Sequence, residues 1–302
     1  MLFRSVSNNG MALKYSTLNL RNNYEIIKKA CENNGLALNY TSFEFKNNPE
    51  IVKLACENNG LALEFASFEI RNNPEIVKIA CMNDGMAIQY SSYELGQNLE
   101  IIEIAFKNNC KCLNYIPFNI KNNYSFIKKL LKLYDGKDLI LNFLSFEMRN
   151  DYDLVSFIVN KNGLELEFAS DKLKNNYDIV KLACENNGLA LKYASIELRN
   201  NPEIINIAIS SNNHSFKFAS NDLRNDYELV LNVCKLNGFL LRYVSVNLRD
   251  NEIIALEAIK NTIYSFDFIS TRLKNDKQFL FNAFQLNPNL YLIPIDRKST
   301  RL

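Results

Sequence analysis

Ten cationic residues recur along the chain at a fixed period: Arg21, Lys46, Arg71, Lys121, Arg149, Lys174, Arg199, Arg224, Arg249 and Lys274, with Gly96 in the one empty slot. A row of guanidinium and ammonium groups can do two kinds of chemistry. It can hold phosphates or other anions along a track, or it can pair with carboxylates of the same chain. Four residues after many of these cations stands an acid, as in Arg71 with Glu75 and Arg199 with Glu203. Pairing within and between repeats is therefore the stronger reading, and anion recognition the weaker.

The other reactive side chains are sparse. Cys31, Cys56, Cys81, Cys184 and Cys234 share one slot of the period and read as small buried thiols, because equivalent positions of stacked helices lie about 8–10 Å apart, too far for a disulfide. Cys110 and Cys112 fall outside that slot, and the single histidine, His214, leaves the usual zinc sets without partners. No cysteine or serine has a base that the sequence places beside it, and neither G-x-G-x-x-G nor a phosphate-loop pattern occurs. No catalytic residue, no cofactor and no metal ligand is expected, and the chain is read as a non-enzyme.

The cations repeat every 25 residues, broken once by three extra residues between Lys121 and Arg149. A period of that size marks a solenoid, in which each repeat packs on its neighbours. An aromatic confirms the register without exception, at Tyr15, Tyr40, Phe65, Tyr90, Tyr115, Phe143, Phe168, Tyr193, Phe218, Tyr243 and Phe268. Unbroken repetition over 302 residues removes the need for an internal boundary, so the expectation is one elongated repeat domain over 1–302. Its irregular part is expected at about 96–140, with a short polar tail at 296–302 whose last residues, Ser299 to Leu302, resemble a PDZ-binding carboxylate ligand.

Within one repeat, Asn73 is a good N-cap, Pro74 suits the first helical position, and Glu75 faces the positive end of the helix dipole. Ile76, Val77, Ile79, Ala80 and Cys81 cover a broad apolar face, and Gly85 reads as a left-handed stop. The segment Leu61–Ser67 alternates as the strand of a leucine-rich repeat does. Alanines at 12, 37, 62, 87 and 190 favour a second short helix instead. Ser67 then caps a brief third turn through Arg71, of 3₁₀ type. The expected fold is all-α, an elongated α-solenoid of short helix pairs.

The stretch Asn187-Gly188-Leu189-Ala190-Leu191-Lys192-Tyr193-Ala194-Ser195-Ile196-Glu197-Leu198-Arg199-Asn200-Asn201-Pro202-Glu203-Ile204-Ile205 resembles the domain-of-unknown-function 4116 repeat family, common in large DNA viruses of amoebae. The likeness runs from Asn8 to Phe284 and weakens between Gly96 and Leu133. It implies a helical solenoid and carries no activity, substrate or catalytic residue.

Two rows depart from the structural pattern. Phe43, Phe68, Tyr93, Phe118 and Phe146 put an aromatic in the same slot of five consecutive repeats, where later repeats carry Asp171, Ile196, Asn221, Val246 and Thr271. A slot that tolerates Asp and Asn faces solvent at least in part, so these rings are either a partner-binding stripe or packed on one another between repeats. A second, variable row contains three consecutive basic residues, Lys192, Lys217 and Arg242. They form either a local basic patch or a solvated face. The doubled asparagines, such as Asn22-Asn23 and Asn175-Asn176, read as helix caps and turn supports.

A formal net charge of +2, from 35 Lys and Arg against 33 Asp and Glu, gives no global drive toward nucleic acid or anionic membrane. The N-terminus lacks the apolar core of a signal peptide and no run is long enough for a membrane span, so an intracellular, cytoplasmic protein is expected. The expected function is a protein–protein interaction scaffold of unknown partner and oligomeric state. The alternative is RNA or single-stranded nucleic-acid binding on a helical-repeat surface.

Overall fold

In the computed structural model the chain is described from residue 2 to residue 292, so the expected polar tail at 296–302, with its PDZ-like end, lies outside the described residues. The described residues form helices and turns without a strand. They divide into two compact units, one up to Met148 and one from Arg149. Each unit is an α-solenoid of 25-residue repeats.

One repeat has three parts. A ten-residue α-helix such as Pro74–Asn83 starts on an asparagine whose side chain accepts from the backbone N–H groups of Glu75 and Ile76 at 3.0 and 3.3 Å. Its Ile76, Val77, Ala80 and Cys81 are buried, as a helix sandwiched between neighbours requires. The thiols of Cys31, Cys56, Cys81, Cys184 and Cys234 are free and buried, and burial pushes each up to about 12. Among the described residues no cluster of three His, Cys, Asp or Glu side chains is arranged to hold a metal ion.

The second part is helical, as the alanines indicated, but it is a 3₁₀ helix, Gly60–Phe65 in the third repeat. With three residues per turn, positions three apart stack in columns. The Gly60/Leu63 and Ala62/Phe65 columns turn inward and the Leu61/Glu64 column outward. Apolar residues at 61, 63 and 65 thus resemble strand alternation without forming one. The third part, expected as 3₁₀, is a four-residue α-helix in many repeats, such as Phe68–Arg71, and a 3₁₀ turn in others, such as Leu198–Asn200.

The glycine at the end of each long helix is not a left-handed stop. The only positive-φ glycine among the described residues is Gly136, and Asn59 or Asp84 ends its helix in extended backbone. Glycine is required by close approach: a Cβ on Gly60 would sit 2.3 Å from the carbonyl oxygen of Ala80 in the next repeat, and one on Gly188 2.1 Å from that of Ala208.

Side-chain bonds then lock repeat to repeat. Asn83 accepts from the Gly60 N–H at 2.7 Å and donates its amide to the Glu57 carbonyl at 2.9 Å. Asn58, Asn108, Asn186 and Asn261 do the same in their repeats. The Ser67 hydroxyl donates to Asn47 at 2.6 Å and accepts from the Ile70 N–H, while the Ser67 N–H donates to the Lys46 carbonyl at 2.8 Å. The doubled asparagines are thereby absorbed: the first receives the serine of the next repeat and the second caps the helix.

The irregular part is local. Cys110 stands in the glycine slot, the helix Tyr124–Leu131 has eight residues, Leu133 replaces the bridging asparagine, and a turn through Gly136 follows.

Candidate interaction surfaces

The aromatic row lies entirely in the N-terminal unit, and four of its rings open a short helix, as Phe43 does at Phe43–Lys46 and Phe118 at Phe118–Lys121, while Tyr93 sits in the turn before the 3₁₀ helix Leu95–Gln97. At that position the side chain leaves the helix at its start while the third residue, such as Phe45 or Ile70, takes the buried face. Phe43, Phe68, Tyr93, Phe118 and Phe146 are between 66 and 75% exposed. Among the described residues no ring contact joins two of them, so the alternative in which they bury one another between repeats is set aside. Leu18 occupies the same slot one repeat earlier and is 81% exposed. The period alone could have found it; a search for aromatic residues could not.

The residue after each ring forms a second exposed row: Glu44, Glu69, Glu94, Asn119 and Glu147. Among the described residues none of these carboxylates belongs to an ion pair. The Glu147 carboxyl is held below the usual range by its own backbone N–H and by the Ser145 hydroxyl. In the C-terminal unit the two slots read Asp171-Lys172, Ile196-Glu197, Asn221-Asp222, Val246-Asn247 and Thr271-Arg272. Ile196 and Val246 are exposed there as separated apolar residues rather than as a row.

The basic trio is exposed, yet each cation lies on a ring. The Lys192 amine sits 5.1 Å from the centre of Tyr193, Lys217 4.7 Å from Phe218, and the Arg242 guanidinium 5.1 Å from both Tyr243 and Phe239. Such contacts are worth about 0.5–1 kcal/mol at exposed sites, and they give the trio a part in covering half-buried aromatics.

The long cationic ladder behaves differently from the expectation of acid pairing. Among the described residues none of its members is in an ion pair. Arg21, Lys121 and Lys274 instead donate to the backbone carbonyl seven residues earlier, at 2.5, 3.2 and 2.8 Å. The Nε atoms of Arg21, Arg71, Arg149, Arg199, Arg224 and Arg249 are buried, and burial lowers the Lys121 amine. The acid four places after Lys46 faces elsewhere, Glu50 meeting Lys28 at 3.8 Å, and Glu100, in the same slot after Gly96, meets Lys78 at 2.6 Å, each on the preceding long helix. The ladder is held by helix geometry, with its own carbonyls accepting the serine N–H of the next repeat. His214 is exposed, Cys112 is buried and Cys110 is half-buried.

The model of a domain of unknown function (DUF4116) matches repeatedly, over residues 1–46, 48–96, 98–149, 133–174, 151–199, 176–224, 201–249, 226–273 and 251–294. The chain belongs to the DUF4116 repeat family. No curated protein and no solved structure matches it. Family membership accounts for the repeated frame and assigns no ligand. The two exposed rows of the N-terminal unit are thus the features of this DUF4116 protein that the frame does not explain. No helix of the described residues is long and apolar enough to cross a membrane.

Proposed function

We propose that this chain is a non-catalytic scaffold that binds another protein through the aromatic row of its N-terminal unit. One observation carries the reading: five consecutive repeats expose a large ring in one slot, and none of the rings is used in packing against another. Isolated exposed apolar residues are ordinary, whereas a contiguous row is characteristic of interaction surfaces, whose strongest contacts are aromatic. The frame beneath the row is fixed by hydrogen bonds between repeats, so the backbone that carries the rings needs no ordering at binding.

A displayed peptide library tests this. Sequences selected on the intact chain should lose binding to the Phe68→Ala, Phe118→Ala double variant, whose melting should match the parent. Selected sequences that bind the double variant equally would place recognition elsewhere.

Nucleic-acid binding draws support from the basic trio alone. Its cations are already engaged with rings and are flanked in the same row by Glu167 and Asp267. A fluorescent single-stranded oligonucleotide should therefore show little binding that depends on salt.

A further inference from the structure

We infer that the aromatic row takes a cationic, proline-rich segment in the polyproline II conformation, an inference that rests on the reading of the row as a protein-binding surface. Three observations converge on that ligand.

Charge comes first. Glu44, Glu69, Glu94 and Glu147 each directly follow an exposed ring, and none has a cationic partner among the described residues. Adjacent residues on a helix diverge by about 100°, so the carboxylates form a row beside the rings rather than above them. The basic residues three places after the rings, Lys46, Arg71, Lys121 and Arg149, are half-buried, and Lys121 turns its amine back to a backbone carbonyl. The exposed strip is therefore aromatic on one side and acidic on the other, which suits apolar groups alternating with Lys or Arg.

Pitch comes second. The long helices of successive repeats pack on one another, and packed helices stand about 8–10 Å apart, so three repeats, the interval from Phe43 to Phe118, span about 24–30 Å. A polyproline II chain returns to the same face every third residue and covers about 28 Å in nine residues. Six residues of a strand, whose same-face groups are two apart, cover about 20 Å. An α-helix needs twenty-one residues and about 32 Å to present seven-spaced groups to the same rings. The polyproline period falls inside that span, the strand falls short of it and the helix runs slightly past it.

Backbone comes third. Strand addition needs a free sheet edge, and no strand exists among the described residues. The N–H groups of the short helices are largely taken up inside their repeats, as Arg71 N–H to Ser67 and Asn72 N–H to Phe68 are. A ligand that asks for no backbone hydrogen bonds, and whose pyrrolidine rings pack on aromatic faces, matches a row offering rings and carboxylates.

The test is fluorescence anisotropy with the intact chain and three labelled peptides of five triplets each: Pro-Pro-Arg, Pro-Pro-Glu and Gly-Ser-Arg. The Pro-Pro-Arg peptide should bind most tightly. Phe68→Ala with Phe118→Ala should weaken it by about tenfold or more, and Glu69→Gln with Glu94→Gln by about two- to fivefold, with melting unchanged in both variants. Equal binding of Pro-Pro-Glu, still dependent on the rings, would overturn the cationic ligand and leave the row as a binding surface. Equal binding of Gly-Ser-Arg would reduce the effect to charge and overturn the polyproline assignment. Failure of all three peptides overturns the inference, while the library selection above still judges the surface. Binding of Pro-Pro-Arg that ignores the ring substitutions would overturn both.

Discussion

The N-terminal and C-terminal units share one internal frame and differ on the outside. In both, serine hydroxyls meet asparagines of the preceding repeat, as Ser67 does with Asn47 at 2.6 Å and Ser195 with Asn175 at 2.6 Å. In both, glycine lies against the next repeat's alanine carbonyl. The slot that leads into the third part of each repeat has no such duty. It holds five rings in one unit and Asp, Ile, Asn, Val and Thr in the other. A slot free of bonding between repeats is free to carry a surface property, and only the N-terminal unit carries one continuously.

The sharpest break between inside and outside is a buried phenylalanine, Phe216, set against an exposed one, Phe68. Phe216→Ala in the C-terminal unit removes a fully buried ring and should cost about 3–5 kcal/mol of stability by leaving a cavity. Urea denaturation measures it, and a loss below about 1 kcal/mol would show that the core is not close-packed there.

Glycines come next. Gly60→Ala drives a methyl group to 2.3 Å from the Ala80 carbonyl and should destabilise by about 1–3 kcal/mol through overpacking. Gly96→Ala, whose new methyl would meet nothing nearer than the Ser91 hydroxyl at 3.5 Å, should be neutral or stabilising by about 0.4–1 kcal/mol. Equal melting temperatures for the two variants would contradict the role given to close approach.

The cysteine row adds a pH dependence. Its thiols are raised by burial to about 12 when folded, against about 8.5 unfolded. The resulting stabilisation is complete below the unfolded value and is lost as pH rises from about 8.5 towards 12. Melting temperature should fall over that range, and Cys56→Ala should lessen the slope. An unchanged slope would mean that the thiol ionises as easily folded as unfolded.

Within the N-terminal unit, amides of the irregular stretch from Gly96 to Ile140 should exchange faster than those around Gly60. There the glycine slot holds Cys110, Leu133 replaces the bridging asparagine, and the helix Tyr124–Leu131 is short. Hydrogen exchange with equal protection in the two stretches would contradict this.

Much of this architecture was legible in the residues. Asn73, Pro74 and Glu75 announce a helix start, and Ala62 argues correctly against a strand. Gly85 misled, because a glycine after a helix signals a left-handed turn unless a neighbouring carbonyl 2.2 Å from the Cβ position, here Ala105, makes the demand, and that contact is 20 residues away. The ladder misled for a related reason. Arg71 and Glu75 are near in sequence, but the helix start between them turns the acid towards the preceding long helix, as Glu50 and Glu100 show. The five rings were visible by type, whereas their exposure depended on which side of a short helix or turn they left. Leu18 shares their slot and carries no ring to mark it. Glu165 is fully buried in the alanine slot of its repeat, and nothing in its type marks it, because that slot also varies to Cys112, Ser215, Leu240 and Ser265.

The smallest expected effect on stability tests the central claim. Thermal melts of the Phe68→Ala, Phe118→Ala double variant should change by no more than about 0.5 kcal/mol per site, since both rings stand in solvent, while affinity for a selected partner falls by about 1–3 kcal/mol per ring. A loss of stability comparable to that of Phe216→Ala would return the rings to the core and remove the interaction surface.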